Sequence, residues 1–172
     1  MAASESTCVP NRIVSGGQTG ADRAALDFAL ELGYAQGGWA PKGRMAEDGV
    51  IPVRYQLTEL PDGGMRQRTK RNVQDSDGTL IVNMGELDGG TLATRDFAVK
   101  FGKPFFLAEV DEASLDEIAA ELRRWLRRYN ISTLNVAGPR ESKRPGIYRR
   151  TFDLLIVLHE LNRKLLREVI DP

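Results

Sequence analysis

Apolar positions along the chain fall into short continuous runs separated by stretches of helical spacing. The runs predict strands over Arg12–Ser15, Thr79–Val82, Pro104–Leu107 and Thr133–Ala137. The continuous apolar run Thr79–Val82 suits a strand covered on both faces, as in a parallel sheet. Between them, Ala25, Phe28, Ala29 and Leu32 follow the i, i+3, i+4, i+7 spacing of one buried helix face, and Gly33 ends that helix. Further helices are expected over Met65–Ser76, from Gly89 with Ala93, Phe97 and Phe101 inward and Gly102 as the stop, and from about Gly146 to Leu166. Ser114-Leu115-Asp116-Glu117 reads as a capping box. The helix it opens carries Leu115, Ile118, Ala119, Leu122, Leu126 and Tyr129 on one face, and its four late arginines suit the negative end of the helix dipole. Strands alternating with helices imply an α/β fold: a mostly parallel sheet with helices on both faces.

Two stretches lack this rhythm. Residues 1–11 are polar and read as a disordered lead-in, which leaves residues 12–172 as a single domain. Residues 35–64 hold four glycines beyond position 38 and three prolines without periodicity. A long irregular segment inside a compact domain is more often functional than idle.

Composition narrows the classes. With 24 basic and 24 acidic side chains in 172 residues, general nucleic-acid binding is not expected, so any anion site must be local. Cys8, the single cysteine, cannot form an internal disulfide, and no Cys/His cluster suits a structural zinc. The first residues lack the apolar core of a secretory signal, and the longest apolar stretch, Leu154 to Leu158, is too short to span a bilayer. The default expectation is cytoplasmic, with no membrane partner.

Three predicted strands end in glycine-bearing loops that start helices. The first is SGGQTGAD, residues 15–22, with Gly16, Gly17 and Gly20 beside Thr19 and Asp22. The others hold Gly89-Gly90-Thr91, with Thr94 one turn on, and Gly138 with Arg140. Strand, glycine loop and helix start together offer backbone N–H groups to an anion. None matches the dinucleotide or P-loop fingerprint, and any one is equally a plain tight turn. Three on one sheet edge would argue for a phosphate-bearing ligand beyond the carboxyl ends of the strands.

The helix Met65–Ser76 has its charges reversed: Arg66, Arg68, Lys70 and Arg71 crowd its first half, and Asp75 and Asp77 follow its end. Each placement opposes the macrodipole by roughly 0.3–1 kcal/mol when exposed. A bound anion near Arg68 or Arg71 would relieve this, as would a neighbouring carboxylate such as Glu59 or Glu47.

Taken together, SGGQTGADRAALDFA, PKGRMAEDG, RTKRNVQDSDGTLIVN, GGTLAT and LNVAGPRES resemble the circularly permuted YpsA-type branch of the SLOG superfamily, which includes the LOG and DprA Rossmann-like proteins. The resemblance runs from about Arg12 to Leu161. It implies a Rossmann-like domain whose usual first strand and glycine turn resemble Asn135–Arg140 here, and a nucleotide-type ligand. Members of this branch carry the label of molybdenum carriers. LOG enzymes hydrolyse nucleoside monophosphates with an arginine that Arg68 resembles and a motif in which Gly90-Thr91 look like the Gly-Thr pair. The glutamate of that motif falls on Thr94, and a hydroxyl cannot replace its charge. Asp96 lies about 200° round the helix from it.

Three functions follow as expectations: a nucleotide-binding sensor or carrier; a LOG-like phosphoribohydrolase using Asp22, Glu47, Asp48 or Glu141; or a carrier of the molybdenum cofactor, whose pterin bears a phosphate. The expected partners are a phosphate-bearing small molecule and further copies of the chain. Arg68→Ala is expected to weaken anion binding at little cost to the unliganded protein. Of the remaining residues, His159 suits packing or capping better than catalysis. Trp39 suits base stacking or a core anchor equally. Lys42 and Arg44 suit either phosphate contacts or pairing with Glu47 and Asp48.

Overall fold

The computed structural model describes residues 10–111 and 114–170, so the lead-in, Cys8 included, lies largely outside the described residues. Five strands form one parallel sheet: β1 (Arg12–Val14), β2 (Ala35–Gly37), β7 (Gly78–Asn83), β8 (Phe105–Glu109) and β9 (Thr133–Ala137), in the order β2-β1-β9-β7-β8. The register is fixed by pairs such as Val14 with Asn135, Leu80 with Val136 and Ile81 with Leu107. Every residue of β7 is buried, as its unbroken apolar run requires of a central strand.

Helices cover both faces. Helices α1 (Ala21–Leu32), α4 (Leu115–Arg128) and α5 (Ile147–Ile170) pack with Ile13, Leu80, Val82, Leu134 and Val136 in the main core. On the other face, α2 (Met65–Gln74) meets α3 (Gly89–Lys100) through Val73, Phe97 and Ala98. Alternate residues of one strand thus serve two layers. Gly33 closes α1 in the left-handed conformation, as its position predicts. Ser114 is the N-cap of α4 but makes no side-chain capping bond, so the capping box is not formed. Tyr129 ends that helix half-exposed, and its ring packs on Trp125.

The irregular segment is ordered. It supplies β2 to the main sheet, a parallel pair β3 (Trp39–Ala40) with β6 (Thr58–Glu59), and a hairpin of β4 (Met45–Ala46) with β5 (Gly49–Val50). Leu26 of α1 anchors it through Ala40, Ala46, Ile51, Tyr55 and Leu57. Arg44 donates to the carbonyls of Ile51, Pro52, Tyr55 and Leu57. It therefore acts as a structural clamp, in place of both the phosphate contact and the pairing with Glu47 or Asp48 that the sequence suggests.

The α/β fold with a parallel, helix-covered sheet is the one expected. Because β1, β9 and β7 are neighbours and parallel, the loops after them leave the sheet at one edge.

Candidate functional site

At that edge lies a cleft of about 470 Å³. Gly16, Gly89, Gly90 and Gly138 line it, so all three glycine loops contribute. Asp22, Arg68, Thr91, Thr94 and Arg140 line it as well. Gly17, Thr19 and Gly20 lie behind the lining. Gly17 (φ 79°) backs onto Leu57 and Ile51, and Gly20 (φ 80°) fits under the Pro139 carbonyl, so both use conformations that side chains disfavour. Thr19 donates its hydroxyl to Glu47 and accepts from the Glu141 N–H.

The floor is polar and buried. Arg68 donates Nη1 to the Gly16 carbonyl at 3.0 Å, and the same nitrogen stands 3.6 Å from Asp22 Oδ2. Asp22 accepts from the Gln18 N–H. Burial pushes the Asp22 carboxyl above its ordinary range, outweighing Arg68, which pulls it down. Of the reversed charges of α2, Arg68 is paired within the chain, but not by the carboxylates expected. Asp22 partners Arg68, while Arg66 and Arg71 stack on the rings of Phe97 and Trp39, at 4.9 and 4.6 Å. Glu59 accepts from the Gly43 N–H instead.

The rim is cationic. Lys143 and Arg140 rise from the loop after β9, and Arg66 from α2. Between them α3 begins at Gly89, and Leu92 is the first of its residues to donate back, to the Asp88 carbonyl. The N–H groups of a first helical turn have no intrahelical acceptor, and the helix dipole adds positive potential there. Lys143 reaches Asp88 at 2.5 Å.

Other candidates fall elsewhere. Trp39 donates its indole N–H to Asp75 and lies outside the cleft. His159 accepts or donates at Nδ1 with the Tyr34 hydroxyl, 2.7 Å away, and packs on Phe28; burial lowers its pKa. Asp48 pairs with Arg23, and Glu141 accepts from the N–H groups of Gly146 and Tyr148 at the start of α5. Asp96 is exposed and pairs with Arg95. Thr94 turns its hydroxyl back onto the Gly90 carbonyl at 2.9 Å.

Glu47 lies outside the cleft lining, at the turn between β4 and β5. It accepts from the hydroxyls of Thr19 and Ser142 and the Ser142 N–H, and stands 3.4 Å from Arg140. Desolvation opposes its charge, but these donors prevail and hold its pKa below the ordinary glutamate value. The β4–β5 hairpin is thereby latched to the loop that carries Arg140 and Lys143.

Sequence reasoning missed Gln18, Asn72, Asn135 and Lys143, all of which line the cleft. Asn135 was findable: it is a polar residue between the apolar Leu134 and Val136 of a strand, and its amide donates to Thr79.

The family model described as circularly permutated YpsA SLOG family matches residues 13–159. The chain belongs to that family. A solved structure from Syntrophus aciditrophicus SB, named "Putative molybdenum carrier protein", is 49% identical. It superposes with a TM-score of 0.84 over 86% of this chain and 94% of its own. A solved (E)-4-hydroxy-3-methyl-but-2-enyl diphosphate reductase is 10% identical and covers 88% of this chain and 62% of its own; at a TM-score of 0.38 it carries no argument. Among curated proteins no match is found. The match to this SLOG family spans all three glycine loops.

Proposed function

We propose that the cleft binds a nucleotide or a phosphate-bearing nucleotide derivative, and that the protein serves as a sensor or carrier of it. The observation that supports this best is the meeting of three glycine loops on one cleft, with the start of α3, Lys143 and Arg140 at its rim. That rim has the N–H groups, dipole and cations that a phosphate needs. The floor is less suited to phosphate, because Asp22 would stand against it. Two like charges 4 Å apart repel by about 4 kcal/mol at an effective dielectric of 20.

Thermal denaturation tests the reading. Inorganic phosphate and nucleoside monophosphates are expected to raise the melting temperature, and the bare nucleosides to raise it far less. At a hundredfold excess over Kd the gain is about 2.7 kcal/mol, or roughly 5–10 °C for a domain of this size. Equal stabilisation by nucleoside and nucleotide would remove phosphate from the recognised group.

A second reading is carriage of the molybdenum cofactor. It is favoured by the name of the 49% identical protein. The rim suits the pterin phosphate as it suits a nucleotide. Met65 is the one sulfur-bearing side chain lining the cleft among the described residues, and thioether ligands suit softer metals. The cofactor would therefore be held by its organic part, as cargo.

Hydrolysis is the least favoured reading. The resemblance puts Thr94 where the LOG enzymes carry glutamate, and Glu47, Asp48 and Glu141 are engaged elsewhere. Asp22 alone of the proposed carboxylates lines the cleft.

A further inference from the structure

The cleft has two chemically different ends. At the rim, Arg66, Arg140, Gly89 and Gly90 are exposed and Lys143 is half-buried. On the floor, Asp22 and Arg68 are 5% and 9% exposed, walled by Thr91, Thr94 and Asn135. The floor pair cancels in charge, so it has no net attraction for an anion. It has unspent hydrogen-bonding capacity instead. Arg68 uses Nη1 on Gly16, and its Nε, packed against Gly16, finds no acceptor. Nη2 also has no acceptor among the described residues. Asp22 offers about four lone-pair sites. The Gln18 N–H and Arg68 do not use them all, and the Ser15 hydroxyl gives its one proton to the Val136 carbonyl. A buried donor beside a buried acceptor is best matched by an uncharged group that accepts and donates at adjacent atoms, because any other occupant leaves one of them unpaired.

Resting on the phosphate reading above, we infer that the Asp22–Arg68 floor selects the ligand by such an uncharged donor–acceptor edge, which donates to the Asp22 carboxylate and accepts from Arg68, while its phosphate stays at the rim. The vicinal hydroxyls of a ribose have this chemistry, and so does a base edge that sets an N–H beside an acceptor, such as the amino-pyrimidinone edge shared by guanine and pterins. An isolated phosphate or a ligand without either edge binds at the rim alone.

Titration calorimetry with inorganic phosphate, guanosine monophosphate, its 2′,3′-dideoxy form and purine riboside monophosphate separates these cases. The dideoxy form lacks the diol, and the purine riboside nucleotide lacks O6, the N1 hydrogen and the amino group. One of the two is expected to bind roughly 10- to 100-fold more weakly than guanosine monophosphate, the loss that follows from one hydrogen bond to a charged group. Asp22→Asn is expected to shrink that ratio at least several-fold, whereas Asp96→Asn, on the exposed face of α3, leaves it unchanged. Should Asp22→Asn not fold, Arg68→Lys, which keeps the countercharge and removes Nη2, should shrink the ratio in its place. Phosphate binding with all three nucleotides equal within twofold would overturn this inference and leave the phosphate reading standing. A full ratio persisting in a folded Asp22→Asn would also overturn it. No binding of any of the four probes would overturn both.

Discussion

Arg68 ties the middle of α2 to the first glycine loop by donating to the Gly16 carbonyl across 3.0 Å. The approach is so close that a Cβ on Gly16 would stand 2.6 Å from Arg68 Cδ and Nε. Gly16→Ala is therefore expected to push the guanidinium off its carbonyl and to lower stability by about 1–3 kcal/mol, the usual range for overpacking. Differential scanning calorimetry would read this as a fall of roughly 3–10 °C. An unchanged transition would mean that the arginine swings aside freely.

Arg68→Ala is a harsher change than the sequence alone suggests. Read as one misplaced cation, Arg68 should be dispensable to the unliganded fold. Its side chain is instead 11% exposed, beside Asp22 at 7%. Removing one member of a buried pair leaves the other uncompensated, at a cost on the order of 3 kcal/mol. Urea denaturation is expected to show that loss. Wild-type stability in Arg68→Ala would mean that Asp22 is already protonated in the folded protein.

At the rim, Asp88 competes with any bound anion for Lys143. Lys143→Ala is expected to weaken phosphate binding about tenfold, as loss of a charge-assisted hydrogen bond does. Asp88→Asn is expected to strengthen it a few-fold, because it frees the lysine and removes negative charge from the start of α3. Asp88 makes no side-chain capping bond, so α3 should survive the change. Calorimetry with inorganic phosphate checks both signs, and a weaker Asp88→Asn would place Lys143 outside the anion site.

The hairpin latch should depend on acid. Glu47 has a folded-state pKa below its ordinary 4.5. Its stabilising contribution is therefore complete above pH 4.5 and disappears as pH falls through the lowered value. Amide exchange, corrected for intrinsic rates, is expected to show the hairpin at 45–50 losing protection in that window while β7 keeps its own. Glu47→Gln should remove the pH dependence. Hairpin protection that is flat with pH in the unmodified chain would show that Glu47 does not hold it.

Strand β7 was legible because its unbroken apolar run admits few other readings, and the strand expected over Thr133–Ala137 matches the observed bounds of β9. The inward face of α1 was legible through the spacing of Ala25, Phe28 and Ala29, all buried. The segment 35–64 was not. Its strands are two or three residues long, and much of its order comes from Arg44 bonded to backbone carbonyls, which leaves no periodic trace. The glycine loops of the site could be found because only glycine tolerates Gly138's contact with Ala21 Cβ, at 2.6 Å from an added Cβ, or the positive φ of Gly17. The pairing of Asp22 with Arg68 could not, because it depends on how two helices from distant parts of the chain face each other across a loop.

The position of β9 also sets a timetable. The strands on either side of it, β1 and β7, touch each other only through it, and the hydroxyl of Ser15 donates to Val136, 121 residues away. A chain emerging from the ribosome can form β2–β1 and β7–β8 as separate pairs, but no strand joins them into one sheet until residues 133–137 arrive. Contacts of such long sequence separation are slow to form. The cleft lies on this seam, so one of its walls is among the last parts made. A chain halted before β9 would hold two half-sheets and a cleft without the wall that runs from Asn135 to Lys143.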